Sequence, residues 1–172
     1  PSDRNAILVK FDTSDGSVIA TNALSQQSSF RHITKGHNNE LLVTGYLIGD
    51  NTQVILGAFN HDLSTIAVVS PTNDSGTSKE GESVDIYTNN GVDYILVSGS
   101  FNESGFPQPA VHMFDTSYNF ITTWFYGEEG KFQNVKIVND SYIWLQGNIG
   151  LRGGSGRDDG RFDASDTTLA IW

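Results

Sequence analysis

The chain has 172 residues, 37% of them hydrophobic, with 18 glycines, 4 prolines and no cysteine. That length is enough for one domain with a sizeable core, and the absence of cysteine excludes disulfides, thiolate metal sites and thiol nucleophiles. A formal net charge of −10, from 20 acidic and 10 basic residues, repels a phosphate backbone and argues against nucleic-acid binding.

In chain order, strands are predicted near 6–11, 17–21, 29–34, 41–46, 53–59, 64–69, 83–88, 94–100, 110–114, 119–125, 132–138, 142–147 and 167–172. Val, Ile, Thr, Tyr and Phe dominate these runs, as half-buried pleated strands prefer. No stretch carries a clean helical apolar period, so almost no helix is expected. No apolar run approaches the ~20 residues of a membrane-spanning helix. Asp15-Gly16 marks a tight hairpin between the first two strands.

The strands fall into a four-part pattern. An apolar strand ends on an aromatic residue at Phe11, Phe59 and Phe114. A turn and a second apolar strand follow, then a short strand opening on a polar residue, then a strand ending on Gly45, Gly99 or Gly147. A spacing of about 50 residues with four short strands per unit is the signature of a β-propeller blade. The predicted fold is therefore all-β, a propeller-like array of about three four-stranded repeats. The repeats lie at roughly 1–40, 41–93 and 94–141, with a partial repeat at 142–172. Ser165-Asp166 matches Ser2-Asp3, placing both ends on the same type of strand. Closed propellers have about 4–8 blades, so the array is expected to belong to a larger propeller, with an exposed apolar flank at each end. The loops 102–109 and 151–164 hold equivalent places in the repeat and are expected to emerge on one face.

The stretch from Asn5 to Gly16 resembles the core motif of the SBBP-type propeller repeats of bacterial surface and secreted proteins. Tyr94-Ile95-Leu96-Val97-Ser98-Gly99-Ser100-Phe101 is similar to a strand of the related delta-sixty repeat. The stretches after Phe59 and Phe114 depart from the motif, because they lack its turn glycine. The resemblance implies an extracellular or cell-surface module with a structural, adhesive or protein-binding role. It carries no catalytic residues over.

Chemistry is sparsely marked. Gly153-Gly154-Ser155-Gly156-Arg157-Asp158 opens like a glycine-rich calcium repeat. With Asp159, Asp163 and Asp166 it collects four carboxylates beside flexible backbone, a donor set suited to Ca²⁺. Arg157 and Arg161 oppose that charge, and a solvated acidic loop is the competing reading. Asp12-Thr13-Ser14-Asp15-Gly16 hints at a calcium loop but has the length of a hairpin. His32, His37, His61 and His112 form no zinc-spaced pair. No nucleophile elbow is present. Phe120, Trp124, Phe125, Tyr126 and Phe132 offer either core packing or a sugar-stacking platform. The expected function is non-enzymatic. The partner is a protein or further repeats of the same chain, with carbohydrate binding or glycoside processing as the alternative.

Overall fold

The computed structural model describes residues 4–49, 52–71, 80–102, 106–126, 129–139, 142–150 and 162–169. Its regular elements are all strands: β1 (Asn5–Phe11), β2 (Val18–Lys35), β3 (Leu41–Leu47), β4 (Gln53–Phe59), β5 (Thr65–Val69), β6 (Gly81–Asn89), β7 (Val92–Phe101), β8 (Gln108–Asp115), β9 (Phe120–Phe125), β10 (Glu129–Asn139), β11 (Tyr142–Gly150) and β12 (Phe162–Leu169). Among the described residues there is no helix. The strands form three antiparallel meanders with neighbours in chain order: β1 to β5, β6 to β9, and β10 to β12. We call them the first, second and third sheets.

One expectation is corrected. The strands foreseen at 17–21 and 29–34 are a single strand, β2. Its first half pairs with β1 and its second half with β3. Between them the sequence Thr21-Asn22-Ala23-Leu24-Ser25-Gln26-Gln27-Ser28 contains neither Gly nor Pro, so nothing breaks the extended backbone. At the other end of the chain β12 spans Phe162–Leu169, earlier than the 167–172 foreseen.

The repeat is visible in the pairing register. β2, β6 and β10 each bulge at Phe30/His32, Gly81/Ser83 and Phe132/Asn134, opposite Gly45, Gly99 and Gly147. A Cβ on any of these three glycines would collide with the carbonyl oxygen of Ser29, Glu80 or Lys131 respectively. The glycines are therefore where the bulged backbone makes its closest approach. A second register shift precedes Phe11, Phe59 and Phe114. Turns of one design then follow: the Asp12, Asn60 and Asp115 amides donate to the carbonyls of Ser17, Ser64 and Asn119 at 2.8, 2.9 and 3.0 Å.

Those turns need a left-handed residue, and Gly16, Leu63 and Tyr118 supply it at φ 75°, 67° and 67°. The two units lacking the motif's glycine keep its backbone all the same. A non-glycine residue there costs roughly 1–2 kcal/mol. Burial of Leu63 and the contact of Tyr118 with Glu40 offset that cost. Burial, then the charge and hydrogen bond of Glu40, raise the pKa of the Tyr118 phenol.

The core lies between the sheets. Leu42, Val54, Leu56 and Ala58 of the first sheet pack on Val84, Ile95, Val97 and Phe114 of the second. The opposite face of the second sheet, with Tyr87, Leu96 and Val111, packs on Phe132, Val135, Ile143 and Leu145 of the third. Strand alternation explains this: Ile95 and Val97 point one way and Leu96 the other. The layers approach one another where β6 lies against β2 and β3, and where β10 lies against β6, β7 and β8.

Candidate interaction faces

The β1–β2 hairpin folds against the turn between β4 and β5. Lys10 Nζ donates to the His61 carbonyl at 3.0 Å, and Asn22 Nδ2 donates to the Leu63 carbonyl at 2.6 Å. The inward side of the hairpin includes the buried Ala6, whose amide donates to Ser28 Oγ at 3.0 Å. Alternation then points Ile7, Val9 and Phe11 outward, next to Val18. They are 56%, 38%, 55% and 57% exposed, forming an apolar stripe on a two-stranded ribbon.

The register shows how unusual this exposure is within the molecule. Phe59 and Phe114 hold the place of Phe11, and both are fully buried. Ile55 and Ala110, opposite Gly45 and Gly99, are fully buried as well.

The outer face of the third sheet is different in chemistry. Two adjacent cross-strand pairs, Asn134 with Gln146 and Lys136 with Trp144, stand on β10 and β11. With Leu145 they line a shallow cavity of about 190 Å³. Trp144 is 39% exposed. It stands three residues before Gly147, as the fully buried Leu42 and Leu96 stand before Gly45 and Gly99. Two groups on this edge reach back to the second sheet: Ser83 Oγ donates to Asn134 Oδ1 at 3.1 Å, and Lys136 Nζ pairs with Asp85 at 3.0 Å. Asp85 also accepts the Ile137 amide at 3.2 Å.

A second ion pair ties the same two layers. Lys131 Nζ lies 2.6 Å from Glu82 and 3.4 Å from Glu80. Burial pulls the Lys131 pKa down, but Glu82 and Glu80 outweigh it and the net shift is upward. His37 pairs with Asp93, whose carboxyl is held below its ordinary value by the Thr88 hydroxyl first, against the cost of burial, and then by His37.

The candidate calcium residues are only partly placed. Asp158 and Asp159 lie outside the described residues. Asp163 and Asp166 fall on β12, Asp163 opposite Asn148, with their side chains outside the described set. Among the described residues, no group of three or more His, Asp or Glu side chains is arranged to hold a metal. The Asp12–Gly16 segment is a hairpin turn: Asp12 Oδ1 accepts the Ser14 amide at 2.8 Å and Asp15 Oδ1 the Ser17 amide at 2.9 Å. The Ser14 hydroxyl, which donates to Asp12 Oδ1 at 2.6 Å, and then the Ser14 amide lower the Asp12 carboxyl pKa, and the Ser17 amide lowers that of Asp15.

The histidines are scattered. His32 Nδ1 accepts the Val84 amide at 3.3 Å, and buried His112 meets Thr123 Oγ1 at 2.9 Å. The aromatic cluster divides between layers. Phe132 is buried, Trp124 packs on the same cluster, and Phe120 meets Phe114 edge to face at 5.8 Å. Phe125 stays exposed and stacks on Phe101 at 5.8 Å. They make no single platform. Trp144 was not among the sugar-platform candidates, although its distance from Gly147 in the repeat marks it.

No protein-family model and no curated protein matches the chain. Among the described residues, no helix is long and apolar enough to cross a membrane.

Proposed function

We propose that this chain is a non-enzymatic segment of a β-propeller-like array that works by packing sheet on sheet and by binding protein. The observation that carries the reading is the stripe of Ile7, Val9, Phe11 and Val18, exposed where the repeat elsewhere buries Ile55, Phe59 and Phe114. Contiguous exposed apolar surface of this kind marks protein interaction sites. The array is supported by consecutive antiparallel meanders of five, four and three strands, by apolar packing on both faces of the second sheet, and by the approach of β6 to β2 and of β10 to β6. Placement outside the cell or on its surface rests on the resemblance of the Asn5–Gly16 and Tyr94–Phe101 stretches to surface-protein repeats.

Trp144 favours a second reading, carbohydrate binding. A half-exposed indole beside the Asn134 and Gln146 amides and the Lys136 ammonium offers a stacking surface with hydrogen-bonding groups. Two assays separate the readings. Binding of an apolar fluorescent dye is expected in the wild type and should drop in Val9→Lys. A glycan array and turnover of aryl-glycosides are expected to be silent. Dye binding untouched by Val9→Lys would overturn the first reading, and a glycan signal abolished by Trp144→Ala would establish the second.

A further inference from the structure

We infer that the hairpin stripe takes the outer face of the third sheet of a second copy of this chain, so that copies stack head to tail. The inference rests on the reading above that layers of this repeat pack face to face, and it names the partner of that stripe.

Two sheet-to-sheet junctions inside the chain share one form. The earlier sheet contributes Leu42 and Leu56, or Leu96 and Val111. In the first junction the later sheet contributes Ile95, Val97 and Phe114. Among the described residues, one half of each kind also stands exposed. Phe11 on the hairpin occupies the place of Phe114, the later-layer half. Trp144 occupies the place of Leu42 and Leu96, the earlier-layer half. The exposed faces at the two ends are therefore the two sides of a single junction, continuous in register with those the fold already makes. A second copy supplies the counterpart of both.

The polar groups around Trp144 do not oppose this. In the second sheet, Ser83 and Asp85 hold the register positions that Asn134 and Lys136 hold in the third. That face is nevertheless packed, its polar groups satisfied across the junction by Asn134, the Ile137 amide and Lys136. Lys136 stands where the second sheet has Asp85, so the proposed junction replaces a carboxylate with an ammonium between chains of net charge −10. A junction joining unlike faces is heterologous, so its product is a closed ring or an open filament.

The test is sedimentation of the 172-residue chain across the micromolar range, with Phe11→Asp and Trp144→Asp variants. Wild type is expected to self-associate reversibly, and more strongly at high salt, which screens the shared negative charge. Each variant alone should associate at least about tenfold more weakly, a loss equivalent to about 1.4 kcal/mol. An equal mixture of the two should form a one-to-one dimer. Phe11→Asp keeps an intact third-sheet face, and Trp144→Asp keeps an intact hairpin face. Self-association unaffected by either variant, or variants that do not complement each other, would overturn head-to-tail stacking. A wild type that stays monomeric overturns it too. If that monomer still binds apolar dye at the stripe, the protein-binding reading survives with a different protein as partner. Far-UV circular dichroism keeps the outcomes apart, because a variant that fails to fold loses its strand signal.

Discussion

The second sheet and the β1–β2 hairpin use the same residue plan and meet opposite fates. Phe114 in the second sheet is fully buried, whereas Phe11, at the same place in the register, is 55% exposed. Both follow a register shift, and both are followed by a turn with a left-handed residue. The difference that decides burial is the neighbour: the second sheet has a layer on each face, and the hairpin has one on a single face. A strand's alternation thus decides which side chains share a face, and stacking decides whether that face is dry.

The sharpest way to break this comparison is a pair of truncations. Phe114→Ala should cost about 3–5 kcal/mol, because it removes a large buried ring and leaves a cavity. Phe11→Ala, measured where the chain is monomeric, should change stability by no more than about 0.5 kcal/mol. Urea denaturation of both variants measures the gap, and equal losses would dissolve the distinction.

Next in size are the glycines. Gly99→Ala drives a methyl into the Glu80 carbonyl and should cost about 1–3 kcal/mol. Gly16→Ala meets no atom within 4 Å, so only its positive φ opposes the change. Its cost should be about 1 kcal/mol. Thermal melts that rank these two in the opposite order would show that the bulge yields more readily than the turn.

A smaller effect is expected at Lys131. Its side chain is 36% exposed, so the pair with Glu82 is partly screened, and Lys131→Met should lose under about 1 kcal/mol. The pKa of Lys131 is raised on folding from its ordinary 10.5. The stabilisation is therefore complete below that value and is lost as pH rises through the folded-state pKa. Denaturation at neutral pH and above pH ~10.5 should show the Lys131→Met difference shrinking at the higher pH.

The smallest change is on the acid side. Asp93 is held below its ordinary 3.8 first by the hydroxyl of Thr88, which donates at 2.6 Å. Its contribution is present above 3.8 and is lost as pH falls through the lower folded value. Thr88→Val should flatten that acid-side slope and leave the alkaline side unchanged.

Much of the fold was legible because it depends on local rules. The unbroken apolar run Ile95-Leu96-Val97 suits a strand, and the fold buries it on both faces. Gly45, Gly99 and Gly147 announce their own equivalence, because only glycine admits a carbonyl so close. The continuity of β2 was harder to foresee. It rests on the absence of a breaker between Thr21 and Ser28, a weaker signal than the presence of one. The turns at Leu63 and Tyr118 depart from the motif in sequence and keep its backbone. The backbone shape can be held by a buried leucine, or by a tyrosine resting on Glu40, as well as by glycine.

The sequence by itself determined the all-β class, the period of the repeat and the faces on which side chains gather. These follow from backbone sterics and the two-residue period of a strand. Only the tertiary structure decided which of those faces are covered. Burial depends on what lies about 10 Å away across a layer, and that neighbour is distant along the chain. For the same reason Phe11, which holds the place of Phe59 and Phe114 in the repeat, and Trp144, which holds that of Leu42 and Leu96, stand exposed where their counterparts are buried.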